Sequence, residues 1–196
     1  RIDLRGLEHV ERAQAAGRGV VFVTAHVGHW EWLCVAQALA GLDITIVTRR
    51  AHDPAVDRLW QRIREDRGVR FLDSAASLGA ILRLLRAGRS VGLIIDQHEG
   101  GSSGVRVPFF GREAGTTKAP ALLAARTGCP VIPVFGHRGA DGRHVAEFGA
   151  PIDVVSGRDL DETVALTTKR YNEALEAFVR QHPEQWLWVH RRWKPA

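Results

Sequence analysis

Short apolar runs alternate along this chain with stretches in which apolar residues return every three or four positions. Residues 20–24, 44–48, 69–72 and 90–95 read as strands, the last apolar on both faces as suits the middle of a parallel sheet. Helical spacing fills the gaps. Trp30, Leu33, Cys34, Ala38 and Leu42 trace one face, with Gly41 as its stop, and Asp53-Pro54 opens a helix whose Val56, Leu59, Trp60 and Ile63 recur at helical spacing. Ser74 caps the next helix, which ends near Gly88. Residues 1–18 pattern as one short helix through Leu4, Leu7 and Val10.

Past a Gly/Ser loop at 99–104, read as a flexible link, Thr116 or Thr117 caps a helix running to Arg126 and stopped at Gly128. Residues 131–135 form a strand that Pro133 assigns to an edge or a bulge. Residues 145–148 return as a hairpin across 140–142, a long helix covers 159–181, and 186–190 make a last short strand. The alternation predicts an α/β fold: a single domain over 1–196 with a mostly parallel central sheet flanked by helices and an antiparallel addition near the C-terminus.

At 196 residues there is room for one well-buried domain rather than two. The chain opens on Arg1, so it reads as a piece of a longer protein or a trimmed one. No apolar run approaches the roughly 18 residues that span a bilayer, and no signal-peptide pattern appears; an anchor ahead of Arg1 stays open. The formal charge is +5 and almost all of the cations are arginine, lysine standing only at Lys118, Lys169 and Lys194. Bidentate phosphate recognition is one reading of that usage, and a GC-rich genome is the other. Such basicity suits nucleic acid, anionic lipid or an acidic carrier protein alike, but no nucleic-acid motif accompanies it. Cys34 and Cys129 sit in apolar settings and read as core residues, not as a disulfide or metal ligands.

The strand at 20–24 runs into Thr-Ala-His-Val-Gly-His-Trp-Glu at 24–31, where a buried strand gives way to a helix. Ligands bind at such carboxyl ends of strands. His26 is a candidate general base, worth roughly 10²–10⁴ in rate when positioned. A carboxylate on the other ring nitrogen fixes the tautomer and stabilises the imidazolium. Glu31 is the candidate for that role, five residues on across Gly28 and in a first helical turn that favours negative charge. The bland alternative is a capping histidine and a solvated glutamate. A third reading has His26, His29 and Glu31 joined by Asp96 and His98 around zinc or iron. Their spacing matches neither H-E-x-x-H nor a cysteine site. Ser102 and Ser103 lack the elbow context of a nucleophilic serine.

Taken together, Gly-Arg-Gly at 17–19, the strand and the His26-x-x-x-x-Glu31 spacing resemble the H-x-x-x-x-[DE] signature of glycerolipid acyltransferases. More narrowly they resemble the bacterial late lipid A acyltransferases (lauroyl and myristoyl transferases) and their relatives that acylate phosphatidylinositol mannosides. Ile-Asp-Gln at 95–97 with Val-Pro-Phe-Phe-Gly at 107–111 is similar to that family's D-Q … V-P-F-F-G block. The stretch from Thr116 to Pro133 is similar to the helix and strand that follow it, and residues 183–194 to the family's C-terminal signature. These cover nearly the whole chain in order.

The resemblance implies that His26 is catalytic with Glu31 as its acidic partner. It makes Arg49, followed by Asp53-Pro54, and Arg64, before Gly68, substrate-binding arginines that meet phosphate or carrier. Asp96 and Gln97 become the D-Q pair of the site. His29 and Asp53 depart from the asparagines common at those places, and the usual N-terminal membrane helix is absent from these residues. The implied reaction is acyl transfer from acyl carrier protein or acyl-coenzyme A, as co-substrate, to a hydroxyl of an anionic glycolipid, with no resident cofactor or metal and no nucleic acid. Its place would be the cytoplasmic face of a bacterial inner membrane, on the membrane surface or anchored by a segment not present here. A catalytically silent relative that binds lipid or carrier is the alternative. Trp186 and Trp188 read as core residues, and 191–194 as a lipid-facing basic stretch.

Overall fold

Strand β2 (Val21–Thr24) lies inside a seven-stranded sheet, and its side chains show why. Val21 and Val23 enter one apolar cluster while Phe22 enters another, so the strand is buried on both faces and needs helices on each. The computed structural model describes residues 2–74 and 78–195. In it β2 pairs in parallel with β5 (Ser90–Ile94) on one side and β8 (Val131–Arg138) on the other. Beyond β5 come β3 (Ile44–Thr48) and β4 (Arg70–Asp73), also parallel. Beyond β8 comes antiparallel β9 (His144–Phe148), with β1 (Ile2–Arg5) at the edge. This is the predicted α/β architecture.

Helices α1 (Leu7–Ala15) and α2 (Trp30–Leu39) cover one face through Val10 and Leu33. On the other lie α4 (Leu78–Arg86), α5 (Ala119–Thr127) and α6 (Leu160–Gln181), through Ile81, Leu85, Leu123, Tyr171 and Leu175. Helix α3 (Pro54–Glu65) starts where predicted, with Asp53 accepting from the Ala55 and Val56 N–H groups at 2.7 and 3.1 Å. It contributes to neither cluster. None of the helices among the described residues is long and apolar enough to cross a membrane.

Several expectations need correction. The first residues form β1 rather than the start of a helix, because Leu4 packs from an edge strand beside β9. Pro133 stands in an internal strand, and the registers explain how. Pairing of β8 with β2 ends at Val23↔Pro133 and pairing with β9 begins at Val134↔Phe148, so the missing N–H falls where the strand changes partners. Residues 104–117 are a separate hairpin, β6 (Gly104–Phe109) and β7 (Arg112–Thr117), turning at Phe110 and Gly111 with φ of 49° and 72°. Helix α5 therefore begins after Lys118, although Thr117 Oγ1 does accept from the Ala119 N–H (3.4 Å). The helix start expected after Ser74 falls on residues 75–77, which lie outside the described residues. Residues 186–190 are not a strand: a 3₁₀ turn (Pro183–Gln185) leads into a single antiparallel bridge, Val27↔Trp186.

Candidate active site

Thr24 faces Ile94 in the β2–β5 ladder, so His26 and Asp96, two residues further on, leave the sheet side by side. Asp96 Oδ1 lies 2.8 Å from His26 Nδ1, while its Oδ2 accepts from the His26 backbone N–H (2.9 Å) and from Trp186 Nε1–H (3.0 Å). The carboxylate is 3% exposed. Burial pushes its pKa upward, but the hydrogen bonds from His26 and Trp186 and the His26 charge outweigh burial and hold it below the ordinary carboxylate value. An ionised Asp96 only accepts, so the ring proton belongs on Nδ1 and Nε2 is the nitrogen that can meet a substrate hydroxyl. Trp30 packs edge-on against the ring, centroids 4.9 Å apart.

The loop after His26 is clamped by the C-terminal segment. Leu187 N–H donates to His26 O (3.0 Å) and Gly28 N–H to Gln185 O (2.8 Å). Gly28 has φ 57°, and a Cβ there would meet Gly136 O at 2.6 Å, so positive φ and close passage over β8 both demand glycine. Gln185 also bridges the Arg138 N–H and carbonyl at 2.7 and 2.9 Å. Beneath the clamp, His182 stacks on His137 with centroids 4.0 Å apart. Burial first, then the charge of His182, hold His137 below its usual 6.5; burial also lowers His144 and His190.

A histidine depressed in the folded state binds fewer protons there than in the unfolded chain. Stability is full above 6.5 and declines as pH falls from there toward the folded values. We expect the thermal midpoint to drop on acidification from about pH 7.5 to about 5.5, with a shallower drop in His137→Phe. A midpoint that rises with acid would contradict this.

Glu31 is placed differently from the expectation. The carboxylate on His26 Nδ1 is Asp96, and Glu31, in the first turn of α2, takes both Nε (3.0 Å) and an Nη of Arg64. The reason is geometric: parallel pairing sets Asp96 level with His26, whereas Glu31 is carried along the helix to face α3. Arg64 is correspondingly committed, its guanidinium also 4.9 Å from the ring centroids of both Trp60 and Phe71. It positions Glu31 rather than standing open to a phosphate. Single Glu31→Gln and Arg64→Gln variants should lose similar stability, and the double variant little more. Denaturant unfolding should give a coupling of about 0.5–3 kcal/mol; additive losses would refute the pair.

Arg49, at the carboxyl end of β3, is 81% exposed and, among the described residues, its one ion-pair contact is Glu99 at 3.6 Å. Gln97 is exposed, while its carbonyl is held by Arg192 (3.2 Å). The loop at 99–104 is not a loose link. Glu99 N–H donates to Gly115 O (3.0 Å), and a Cβ on Gly115 would meet Glu99 O at 2.3 Å, so the loop is pressed onto the β6–β7 hairpin. Ser102 and Ser103 lie exposed on its 3₁₀ turn. The ligand set considered for zinc is dispersed: His29 is exposed beside Trp32 and His144, and the His98 N–H donates to His190 Nε2 (2.8 Å). Among the described residues no group of three His, Cys, Asp or Glu side chains is placed to hold a metal.

Two site residues escaped the sequence reading. Trp186 is buried as predicted, but its indole N–H is a ligand of Asp96; Trp188 is 55% exposed, not core. Arg192, assigned with its neighbours to a lipid-facing stretch, is 1% exposed. It donates to Gln97 O, Gly115 O and Thr116 Oγ1 and lies 5.0 Å from the Phe109 ring centroid. Arg191 and Lys194 on either side are exposed. For the pairing of Asp96 with His26 the signal is positional: an aspartate directly after a doubly buried strand belongs at the same sheet edge as a histidine after its neighbour.

Residues 1–195 match the profile of a family described as bacterial lipid A biosynthesis acyltransferase. The lipid A biosynthesis lauroyltransferase of Escherichia coli is 31% identical over 98% of this chain and 61% of its own length. The lipid A biosynthesis acyltransferase of Haemophilus influenzae is 26% identical over 96% of the chain and 58% of its length. The phosphatidylinositol mannoside acyltransferase of Mycobacterium tuberculosis is also 26% identical, over the same shares. The chain thus spans about three-fifths of the length of these relatives.

Proposed function

The chain belongs to the bacterial lipid A biosynthesis acyltransferase family, and from that premise we propose that it moves a fatty acyl chain from a carrier thioester to a hydroxyl of a glycolipid acceptor, with His26 as general base held by Asp96. The observation that carries this reading is the buried Asp96 carboxylate on His26 Nδ1. Acceptors of the lipid A precursor type are the first choice, given the relatives' names, with phosphatidylinositol mannosides next.

In the proposed step Nε2 takes the proton of the acceptor hydroxyl as its oxygen attacks the thioester carbonyl. The C–O bond forms, the carbonyl electrons move to oxygen, and Asp96 stabilises the imidazolium. Collapse of the tetrahedral intermediate breaks the C–S bond, and the thiolate leaves with the proton held on Nε2. No covalent enzyme intermediate is required, and Ser102 and Ser103 take no part. Arg49 is suited to an acceptor or carrier phosphate, because its guanidinium is exposed at the same end of the sheet. The donor is acyl carrier protein or coenzyme A as co-substrate, and the site of action is the surface of a bacterial inner membrane on its cytoplasmic face.

The test is an acyl-transfer assay with labelled acyl-carrier and acyl-coenzyme A thioesters and detergent-dispersed lipid acceptors, thioester hydrolysis being counted separately. Label arriving on one glycolipid supports the reading. Binding of an acceptor with no transfer from either donor overturns it in favour of a lipid-binding relative.

A further inference from the structure

Helix α3 is amphipathic, yet it is turned over. At 100° per residue Asp57, Gln61 and Arg64 share one side, and they face the protein: Asp57 is 7% exposed and accepts from the Ala51 N–H (2.9 Å), and Arg64 holds Glu31. The apolar stripe faces outward, with Val56 at 44%, Leu59 at 57%, Trp60 at 47% and Ile63 at 44% exposure. Such a stripe normally faces the core, and four large apolar side chains together on a soluble surface mark an interaction site.

The flank of the stripe says what covers it. Arg58 and Arg62, one turn apart beside Leu59, are exposed, and among the described residues neither has an ion-pair partner. Arg49 and Arg50 are also highly exposed in the loop that feeds the helix, at 81% and 71%. Apolar residues including a tryptophan, edged by the exposed guanidiniums of Arg58 and Arg62, are the chemistry of a helix lying in a headgroup layer.

We propose that the outer face of α3 docks the protein on an anionic lipid surface. Val56, Leu59, Trp60 and Ile63 enter between headgroups, and Arg58 and Arg62 bind lipid phosphates. The Arg64–Glu31 pair ties this helix to the first turn of α2, five residues from His26, so docking presents the dyad to hydroxyls at the interface. In that last respect the inference rests on the lipid-acceptor reading.

The whole chain is tested by co-sedimentation with vesicles of phosphatidylcholine alone and of phosphatidylcholine mixed with phosphatidylglycerol. Binding is expected to the anionic vesicles only and to weaken with salt. Arg58→Gln/Arg62→Gln should weaken it about 25-fold, and Leu59→Ser/Ile63→Ser about tenfold or more. Leu166→Ser, a comparable exposed change on α6, should leave it intact. Circular dichroism melting confirms that each variant is folded. The proposal is overturned if wild type does not prefer anionic vesicles, or if the stripe variants bind as wild type does. It is equally overturned if the stripe variants change only the oligomeric state in sedimentation, since a second copy is then the partner. Turnover on detergent-dispersed acceptor separates the two readings: variants that lose vesicles but keep turnover support docking, whereas wild type that binds vesicles without any turnover removes only the acyl-transfer reading.

Discussion

Asp96→Asn should lower kcat for acyl transfer by about 10²–10⁴, close to the loss in His26→Ala, with KM little changed. An asparagine can keep the contacts to the His26 N–H and to Trp186 Nε1 through its oxygen. Its NH₂ would then face Nδ1, donate to it, and select the tautomer whose Nε2 already carries a proton. That imidazole cannot take a proton from the acceptor, and no anion remains to stabilise the imidazolium. Because the two residues act as one unit, the double variant should be no slower than the worse single one. A stability signature accompanies the kinetic one. The Asp96 pKa is lowered in the folded state, so the ionised group contributes stability above its unfolded value, lost as pH falls through the folded value. Asp96→Asn should therefore flatten the acid limb of the stability profile. An Asn variant with wild-type kcat, beside a Glu31→Gln variant that has lost transfer while staying folded, would return the orienting role to Glu31.

Both His26 and Asp96 stand out in the sequence, but spacing pairs His26 with Glu31, whereas the carboxylate on its Nδ1 is Asp96. Local spacing sees Glu31 because five residues are visible in one window. Asp96 is 70 residues away, and its nearness depends on β5 entering the sheet between β2 and β3 after β3 and β4 have already been laid down. Periodicity finds those strands without giving their order. The strands themselves were legible because Val21, Phe22 and Val23 are buried on both faces. The Gly-rich hairpin at 104–117 was not, since Gly104, Pro108 and Gly115 dilute its alternation and its stability comes from tertiary contacts such as Asn172 Nδ2 to Pro108 O (3.0 Å).

Helix α3 is a different case. Its period is correctly read, but period does not say which face is buried, and the inward face is set by the demand for polar partners: Asp57 for the Ala51 N–H and Arg64 for Glu31. Two specific polar contacts fix the face of a helix that propensity alone leaves free. The C-terminal basic stretch teaches the same lesson, since nothing in Arg191-Arg192 distinguishes the exposed guanidinium from the buried one.

Arg192→Met should destabilise the protein by about 3 kcal/mol, a fall in thermal midpoint of roughly 6–12 °C. Two effects compete. Removing a buried cation relieves its desolvation, and burial has already pushed the Arg192 pKa down to about 10, against the opposing charge of Asp96. The group nevertheless stays charged at neutral pH, so its hydrogen bonds are charge-assisted and individually worth about 1.5–3 kcal/mol. Methionine fills the space beside Phe109 but leaves the Gln97 and Gly115 carbonyls and Thr116 Oγ1 without this donor. The loss of three charge-assisted bonds outweighs that relief, although Gly115 O keeps the Glu99 N–H and Thr116 Oγ1 keeps Asn172 Nδ2. Thr116 Oγ1 also accepts from Asn172 Nδ2 (3.2 Å), so the loss reaches α6. Arg192→Lys keeps the charge but not the planar fork, and should recover only part of the stability. Because Gln97 adjoins Asp96, the Met variant should also lose kcat below its unfolding temperature, with Lys intermediate. A Met variant as stable as wild type would mean that this guanidinium is tolerated, and that the C-terminal segment is held over the site by Trp186 and its neighbours alone.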